Sequence, residues 1–304
     1  MYEKFFGLAE APFGLTPDTD FFYANTDHQE ALNTLLVALQ MGEGFIKVSG
    51  EVGTGKTLVC RKLLNELGEN ERFVSAYIPN PTVTPAGLLH SIMAELGQQT
   101  PYNMSPARSL ELLTDCLIDQ KKRNHQVVLV IDEAQALSSQ SLETVRLLTN
   151  LETEKAKLLQ VVLFGQPELD ERLAEKKLRQ LRQRITFTHH LGPMQSQVVA
   201  GYLQHRLRVA GYNGPELFTA AFALQLHKAS GGIPRLLNIL AHKCLLAAFG
   251  EGEKQLKRRH LLSAVADTES ADRSAAGTSV IARWIGAVAA SAAAVGLYMT
   301  AGLG

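Results

Sequence analysis

An eight-residue stretch beginning at Gly50 has the glycines, the lysine and the hydroxyl that are needed to bind the phosphates of a nucleotide. It fits the spacing GxxxxGK[ST], in which glycines tolerate positive φ and let backbone N–H groups turn toward one anion. Lys56 would reach the β- and γ-phosphates of ATP, and the Thr57 hydroxyl would take one Mg²⁺ position. The residues expected to bind the nucleotide are Gly50, Glu51, Val52, Gly53, Thr54, Gly55, Lys56 and Thr57.

Two carboxylates follow a run of apolar β-forming residues that ends at Ile131. Such a run is typical of a strand buried on both faces of a parallel sheet, and ligands of open α/β sheets bind at the carboxyl ends of strands. Asp132 would hold Mg²⁺ through water, and Glu133 would polarise the water that attacks ATP. The alternative is an ordinary pair of acidic residues at a helix N-terminus. Beside a complete phosphate loop, the pair predicts a site of phosphoryl transfer.

These residues must be positioned by the elements around them, and the hydrophobic pattern predicts alternating strands and helices from residue 45 to residue 190. Strands are expected over residues 44–49, 73–78, 127–131, 159–164 and 185–189. Alternation of this kind indicates an α/β fold with βαβ units and a parallel sheet. From residue 195 on, only helical patterns occur, which predicts a small all-helical lid.

Composition sets broad limits on what the chain binds. Of the 304 residues, 46% are hydrophobic, which is enough for a sizeable core. Acidic and basic residues number 30 each, so the net charge gives no general reason to expect a nucleic-acid partner, although a local basic cluster could still bind one. The three cysteines are scattered and lack the spacing of metal ligands, which indicates buried thiols in a reducing compartment.

The C-terminal end is uncharged. From Trp284 on there are 21 residues without a charge, and about 20 mostly apolar residues suffice to span a bilayer. Arg273 and Arg283 precede this stretch, and the positive-inside rule then keeps the preceding domains in the cytoplasm. We therefore expect a C-terminal membrane span. The alternative is a soluble, alanine-rich helix that docks on a partner.

The order of these motifs resembles that of the AAA+ ATPases. In chain order they are the phosphate loop, Asp132-Glu133-Ala134-Gln135, Gly165-Gln166-Pro167-Glu168-Leu169 and Ser230-Gly231-Gly232-Ile233-Pro234-Arg235. An N-terminal leader with Phe5-Phe6-Gly7-Leu8 and Phe21-Phe22-Tyr23 narrows the resemblance to the ATPases of general secretion pathways and, more closely, of MSHA (type IV-like) pilus biogenesis. The resemblance covers about residues 1–267.

The resemblance implies roles for further polar residues. Gln166 would be sensor 1, which contacts the γ-phosphate or orients water, and its alternative is a turn residue at a strand end. Arg235 would be sensor 2, which reports the nucleotide state to the lid; its alternative is a solvated arginine. An arginine finger that acts on the ATP of a neighbouring copy would be Arg184, then Arg182, among a cluster that includes Arg179, unless this is a solvated basic helix. A finger of this kind requires a homo-oligomer.

The first turn of the predicted helix at 27–41 adds two candidates. Asp27 is expected to be its N-cap, with Glu30 completing a capping box. In the proteins that the leader resembles, such a leader contributes to the adenine pocket. His28 is therefore either a residue of that pocket or a surface residue of the first turn.

The expected function is hydrolysis of ATP, with Mg²⁺, in support of a type IV-like (MSHA) pilus or a type II secretion complex at the bacterial inner membrane. The expected organisation is a leader over 1–30 that packs on the nucleotide site, an AAA+ core over 31–192, a helical lid over 193–267, a linker over 268–280 and a transmembrane helix over 281–303.

Two other functions remain open at this point. One is an ATP-dependent DNA-binding switch of the kind found in transposition, supported by a basic cluster in the lid and opposed by the neutral net charge. Its residues are Lys254, Lys257, Arg258 and Arg259. The other is an assembly scaffold that does not hydrolyse ATP, against which the carboxylate of Glu133 argues. We expect protein partners, and nucleic acid is the less favoured partner.

Overall fold

The computed structural model describes residues 2–24, 27–98, 104–152 and 157–272. The chain divides into two compact units. The core unit runs from Gly14 to Met194, and the helical unit combines residues up to Phe13 with residues from Gln195 on.

Strands and helices alternate through the core unit, as expected. Beyond the core unit, the described residues form helices only. The strands are β1 (Phe45–Gly50), β2 (Phe73–Ile78), β3 (Gln126–Ile131), β4 (Leu159–Gly165) and β5 (Phe187–Leu191). The α-helices are α1 (Tyr2–Phe6), α2 (Asp27–Gln40), α3 (Lys56–Gly68), α4 (Pro85–Glu95), α5 (Pro106–Lys122), α6 (Ser139–Leu148), α7 (Pro167–Leu173), α8 (Arg179–Arg182), α9 (Ser196–Val209), α10 (Ala220–Ser230), α11 (Pro234–Gly250) and α12 (Arg258–Ala266). Short 3-10 helices cover Thr19–Phe21, Ala134–Ala136 and Lys176–Leu178.

The five strands form one parallel sheet in the order β2-β3-β4-β1-β5. Its strands β1, β3 and β4 are buried along their whole length, and most of their residues are apolar. Because the strands are parallel, their carboxyl ends lie at one edge of the sheet. The residues that follow β1, β3 and β4 are therefore brought to the same edge, and these are the positions of the predicted site.

The two faces of the sheet carry separate hydrophobic cores, since successive strand residues point to opposite faces. Val130 of β3 belongs to the core that includes Leu63 of α3. Leu129, one residue earlier, belongs to the core that includes Leu113 of α5. Each such buried side chain contributes about 1.5–3 kcal/mol relative to an exposed one, so both faces fix the sheet and the edge at which it ends.

One predicted element differs in the structure. The pattern over residues 169–182 predicts a single helix, but α7 ends at Leu173, and a 3-10 turn separates it from α8. Glu175 has an extended backbone at the break. Leu173 and Leu178 are both buried but lie five positions apart, a step that one straight helix does not place on a single face. The break returns Leu178 to the core.

The helical unit includes the start of the chain. The backbone N–H of Ala9 donates to the Ala210 carbonyl over 2.8 Å, and the Nε of Arg206 donates to the Pro12 carbonyl over 2.6 Å. The ring of Phe13 meets that of Phe218 edge to face at 5.5 Å. The first residues of the leader are thus built into the core of α9 and its neighbours.

The second part of the leader belongs to the core unit. Arg61 of α3 donates to the Pro17 carbonyl over 2.7 Å, and Asn65 of the same helix donates to the Thr19 hydroxyl over 3.3 Å. The leader, expected as one segment that packs on the nucleotide site, is therefore divided between the two units.

The segment expected as a linker begins with packed residues. Thr268 is buried, and its hydroxyl donates to the Ala264 carbonyl over 2.7 Å. The N–H of Asp272 donates to the Ala229 carbonyl over 2.9 Å. The remainder of that segment and the expected transmembrane helix at 281–303 lie outside the described residues. Within the ranges that are described, no helix has the length and apolar character needed to cross a bilayer.

Candidate functional site

The phosphate loop runs from the end of β1 to the start of α3, as its flanking sequences predict. Gly53 and Gly55 have φ values of 84° and 98°, a region that side chains other than glycine rarely adopt. At Gly50, an added Cβ would lie 2.5 Å from the Leu191 carbonyl oxygen. The loop thus turns tightly and ends at the N-terminus of α3, where unpaired N–H groups and the helix dipole favour an anion.

Lys56 points back into this loop. Its Nζ donates to the carbonyl oxygens of Gly50 at 2.7 Å and Glu51 at 2.9 Å, and the residue is only 5% exposed. Burial lowers the pKa of Lys56, while the carboxylates of Glu133 and Asp132 oppose that shift. A buried cation and two carboxylates therefore share one electrostatic environment at the end of the sheet.

Asp132 follows β3 and is 2% exposed. Its Oδ1 accepts from the Glu133 N–H at 2.9 Å. Burial raises the pKa of Asp132, and hydrogen bonds with this N–H and with the Thr57 side chain oppose the shift. The carboxylate and the hydroxyl that the sequence assigns to Mg²⁺ are thus in contact, and oxygen atoms of these two kinds are ligands that this cation prefers.

Glu133 has a left-handed backbone with φ 49°, which is uncommon outside glycine and costs about 1–3 kcal/mol. Its Oε2 accepts from the Nε2 of Gln166 at 3.1 Å and also from the Nε2 of Gln135. Both amides bind the same oxygen of this carboxylate. The arrangement fixes the orientation of the side chain that the sequence assigns to water activation.

Gln135 is a residue of this site for which the sequence pattern predicts no role. Its Oε1 accepts from the backbone N–H of Gln166 at 3.0 Å, and its own carbonyl accepts from Arg172 at 2.6 Å. Gln135 therefore connects Glu133 with the end of β4. The available signal was a polar residue in the turn directly after an acidic pair.

The predicted arginines of the core unit lie outside this network within the described part of the chain. Arg184 is half-buried and donates to the Thr149 carbonyl at 2.9 Å. Arg182 and Arg179 are exposed. Arg235 is exposed on the first turn of α11, in the helical unit. The structure thus joins Gly50–Thr57, Asp132, Glu133 and Gln166, and leaves Arg179, Arg182 and Arg184 apart from them.

The first turn of α2 is packed more closely than its sequence indicates. His28 is 8% exposed, so the interpretation as a surface residue is wrong. Its Nε2 lies 2.6 Å from the carbonyl oxygen of Thr54 in the phosphate loop. Asp27, expected to cap its own helix, accepts from His189 at 2.9 Å and from the Gly192 N–H at 3.3 Å. The turn is attached to both the loop and the end of β5.

The basic cluster of the helical unit is paired with acidic residues. Lys257 contacts Glu253 at 2.6 Å, and Arg259 contacts Glu251 at 2.7 Å and also Glu253. Lys254 donates to a backbone carbonyl of α1. The two carboxylates offset part of the positive charge that supported a DNA-binding switch, and that alternative is not favoured.

Comparison with known proteins agrees with the fold. Residues 39–173 match a protein-family model described as an AAA domain. Cdc6p from Pyrobaculum aerophilum superposes with a TM-score of 0.63 at 18% identity, covering 87% of this chain and 70% of that chain. The Aeropyrum pernix ORC2 protein superposes with a TM-score of 0.61 at 18% identity, covering 81% of this chain and 67% of that chain. At 18% sequence identity, the similarity to these two structures is evidence about the fold alone.

The fold, the phosphate loop and the family model together define a P-loop ATPase with an AAA+ fold, that is, an ATP hydrolase. Within this class the chain is related to General secretion pathway protein A of Aeromonas hydrophila, with 45% identity over 258 residues. The match covers 84% of this chain and 46% of that protein, so the chain spans about half the length of this relative. The expectations of an AAA+ fold and of ATP hydrolysis are confirmed.

Proposed function

We propose that the chain is an oligomeric ATPase whose hydrolysis cycle supports assembly of a secretion or type IV-like pilus complex at the bacterial inner membrane. The observation that carries the hydrolytic part is the convergence of Lys56, Asp132 and Glu133 at one edge of the sheet. Phosphoryl transfer requires mainly positioning and neutralisation of charge, and this edge offers groups for both.

Each group at this edge has a distinct task in the proposal. The backbone of Gly50–Thr57 and the Nζ of Lys56 bind the phosphates of ATP. Thr57 and Asp132 hold Mg²⁺, which when bound neutralises charge on the phosphate oxygens. Glu133 orients and polarises the attacking water, and Gln166 holds the carboxylate of Glu133 through its side-chain amide.

The finger that completes the site of a neighbouring copy is Arg182 in this proposal. The sequence favoured Arg184, but its guanidinium donates to Thr149 of its own chain at 2.9 Å and is half-buried. Arg182 is exposed two residues earlier. Arg235, on the helical unit, is proposed to follow the state of the nucleotide as sensor 2.

The site of action is proposed from the relative's name, which concerns general secretion, and from the resemblance of the leader to MSHA pilus ATPases. The partners are proposed to be assembly proteins rather than nucleic acid, because Lys257 and Arg259 of the basic cluster are paired with carboxylates. Residues 281–303 are proposed to anchor the chain in the inner membrane.

The assembly role is tested in a host that has both a type IV-like pilus and a type II secretion system. A Glu133→Gln chain in place of the parent should reduce surface pili or secreted enzymes, and normal levels of both would contradict the assembly role.

The hydrolytic part is tested by ATPase rate per chain against concentration, with the full chain in detergent. The rate should rise with concentration, and Glu133→Gln and Arg182→Ala should each lower it by about 100-fold or more. Arg184→Ala serves as the matched arginine control, and its ATPase rate should fall much less.

A mixing experiment decides whether the site is shared. Each Arg182→Ala chain keeps Glu133, and each Glu133→Gln chain keeps Arg182. Mixed oligomers therefore contain some complete sites and should regain activity that neither variant has alone. Without any recovery on mixing, at concentrations where the parent is oligomeric, the shared site is wrong.

A further inference from the structure

The first turn of α2 holds the phosphate loop by its backbone. The Nε2 of His28 lies 2.6 Å from the Thr54 carbonyl oxygen, and both residues are buried. Because a carbonyl only accepts, Nε2 carries the hydrogen and donates. Burial lowers the pKa of His28, although the Thr54 carbonyl and Asp27 oppose that shift. The neutral ring is sufficient for this contact, so the loop is held without an added charge.

A hydrogen bond to this carbonyl also directs the next N–H of the loop. A trans peptide unit is planar, so the carbonyl of Thr54 and the N–H of Gly55 point in opposite directions, and no peptide bond among the described residues is cis. With the oxygen turned toward His28, the Gly55 N–H is turned away from the imidazole. Backbone N–H groups of a phosphate loop are the donors that bind phosphate. His28 thus sets the direction of one such donor.

The fit between the ring and the loop is close. Gly55 has φ 98°, and a Cβ added to it would lie 2.5 Å from the Nε2 of His28. The glycine is therefore required both by its backbone conformation and by the ring against it. There is no room for the loop to move toward α2, and His28 acts as a fixed support.

The support is itself anchored. Asp27 accepts from the Nε2 of His189 on β5 at 2.9 Å and from the Gly192 N–H at 3.3 Å. These contacts tie the first turn of α2 to the edge strand of the sheet. A donor on a helix that is held in this way orients its acceptor better than a donor on a loop does. The phosphate loop then loses less conformational freedom when the phosphate binds.

We propose that His28 is a positioning residue for the phosphates of the nucleotide: it presets the peptide between Thr54 and Gly55 in the orientation that phosphate needs. The inference rests on the proposed nucleotide site and adds a residue to it. His28 contacts the loop backbone and not the reacting atoms, so its loss weakens nucleotide binding more than it slows turnover.

The test is calorimetric titration of the full chain with ADP in the presence of Mg²⁺, together with kcat and KM for ATP. His28→Ala should raise the Kd for ADP by about five- to tenfold, the change expected for one hydrogen bond of ordinary strength. The kcat at saturating ATP should stay within about twofold of the parent. His28→Gln can place an amide N–H near the position of Nε2 and should restore most of the affinity.

Gln29→Ala is the matched control, since Gln29 lies in the same turn and its side chain contacts Asn33 instead of the loop. It should leave the Kd unchanged. The proposal is overturned by a folded His28→Ala chain with the parental Kd, or by a change in kcat alone. If the alanine chain melts early, the glutamine chain decides, because a tenfold loss there would contradict the role of the donor. A parent chain that binds no ADP would instead overturn the nucleotide site itself.

Discussion

The carboxyl edge of the sheet and the basic cluster of the helical unit both bring charged side chains together, but with opposite consequences. At the edge, Asp132 and Lys56 are almost completely buried and are connected through one network with Glu133. In the cluster, Arg259 is about half exposed and is paired locally with Glu251. Charge that is buried and convergent can perform chemistry, whereas charge that is exposed and paired mainly keeps a surface soluble.

The largest expected effect comes from changing one acid to its amide in each region. Asp132→Asn should lower the ATPase rate by about 100-fold or more, since the proposed ligand of Mg²⁺ is lost. It should also raise the Tm by about 2–4 °C, because burial disfavours the charged carboxylate and the amide removes that cost. Glu251→Gln should change neither quantity appreciably. A fall in activity with Glu251→Gln, measured in the same assay, would remove the distinction between the regions.

A smaller effect is expected for Gln135→Ala. The substitution removes one of the two amides on the Oε2 of Glu133, and one hydrogen bond of about 1.4 kcal/mol corresponds to about tenfold in kcat. Gln140→Ala, an exposed glutamine on α6, is the control. Steady-state kinetics should show the loss in kcat with KM little changed; a rise in KM with constant kcat would place Gln135 in binding instead.

The two regions should also lose stability in different pH ranges. The pKa of His28 is lowered from 6.5 in the folded chain, so protonation of His28 favours unfolding. The contribution of His28 to the stability of the fold is therefore present above about pH 6.5 and is lost as the pH falls below that value. Glu251 has a pKa lowered from 4.5 by its contact with Arg259, so its contribution is lost only as the pH falls below about 4.5.

Melting temperatures between about pH 7.5 and pH 3.5 would separate these contributions. His28→Gln should flatten the curve near pH 6 and leave the lower range unchanged. Glu251→Gln should do the reverse. Identical curves for His28→Gln and the parent through pH 6 would show that another group titrates there.

The smallest effects are expected in the basic cluster. Lys257→Ala and Arg259→Ala should each shift the Tm by less than about 2 °C, because exposed ion pairs contribute little. Neither should change binding of a DNA duplex, measured by fluorescence anisotropy at low and moderate salt. Tight, salt-dependent binding by the parent that both substitutions weaken would revive the DNA-binding switch.

The parts of the molecule that the sequence predicts best are those fixed by neighbours in the chain. The loop at Gly50–Thr57 and the pair at Asp132 follow from local spacing next to apolar strands. The contacts of His28 and Gln135 join residues 26 and 31 positions apart in sequence, across elements whose pairing depends on the register of the whole sheet. No local pattern carries that information.

The same reason explains two of the expectations that changed. The basic residues near Arg259 looked available in sequence because their pairing with Glu251 depends on the turn before α12. The leader looked like one segment because its composition is uniform, yet Pro12 contacts Arg206, which lies 194 positions further on. Helix α7 ended early because the spacing of its buried leucines changes, a signal that was present but weaker than the helical composition around it.

The division of the leader has a consequence for how the chain is made. Residues 2–13 leave the ribosome before the helices that enclose them, and the whole core unit is synthesised in between. Domains generally fold as units during synthesis, N-terminal parts first. Here the aromatic rings of Phe5 and Phe13 have no contact with their partners, Phe249 and Phe218, until these residues are synthesised after the core unit. The order of synthesis therefore makes the helical unit close after the core unit.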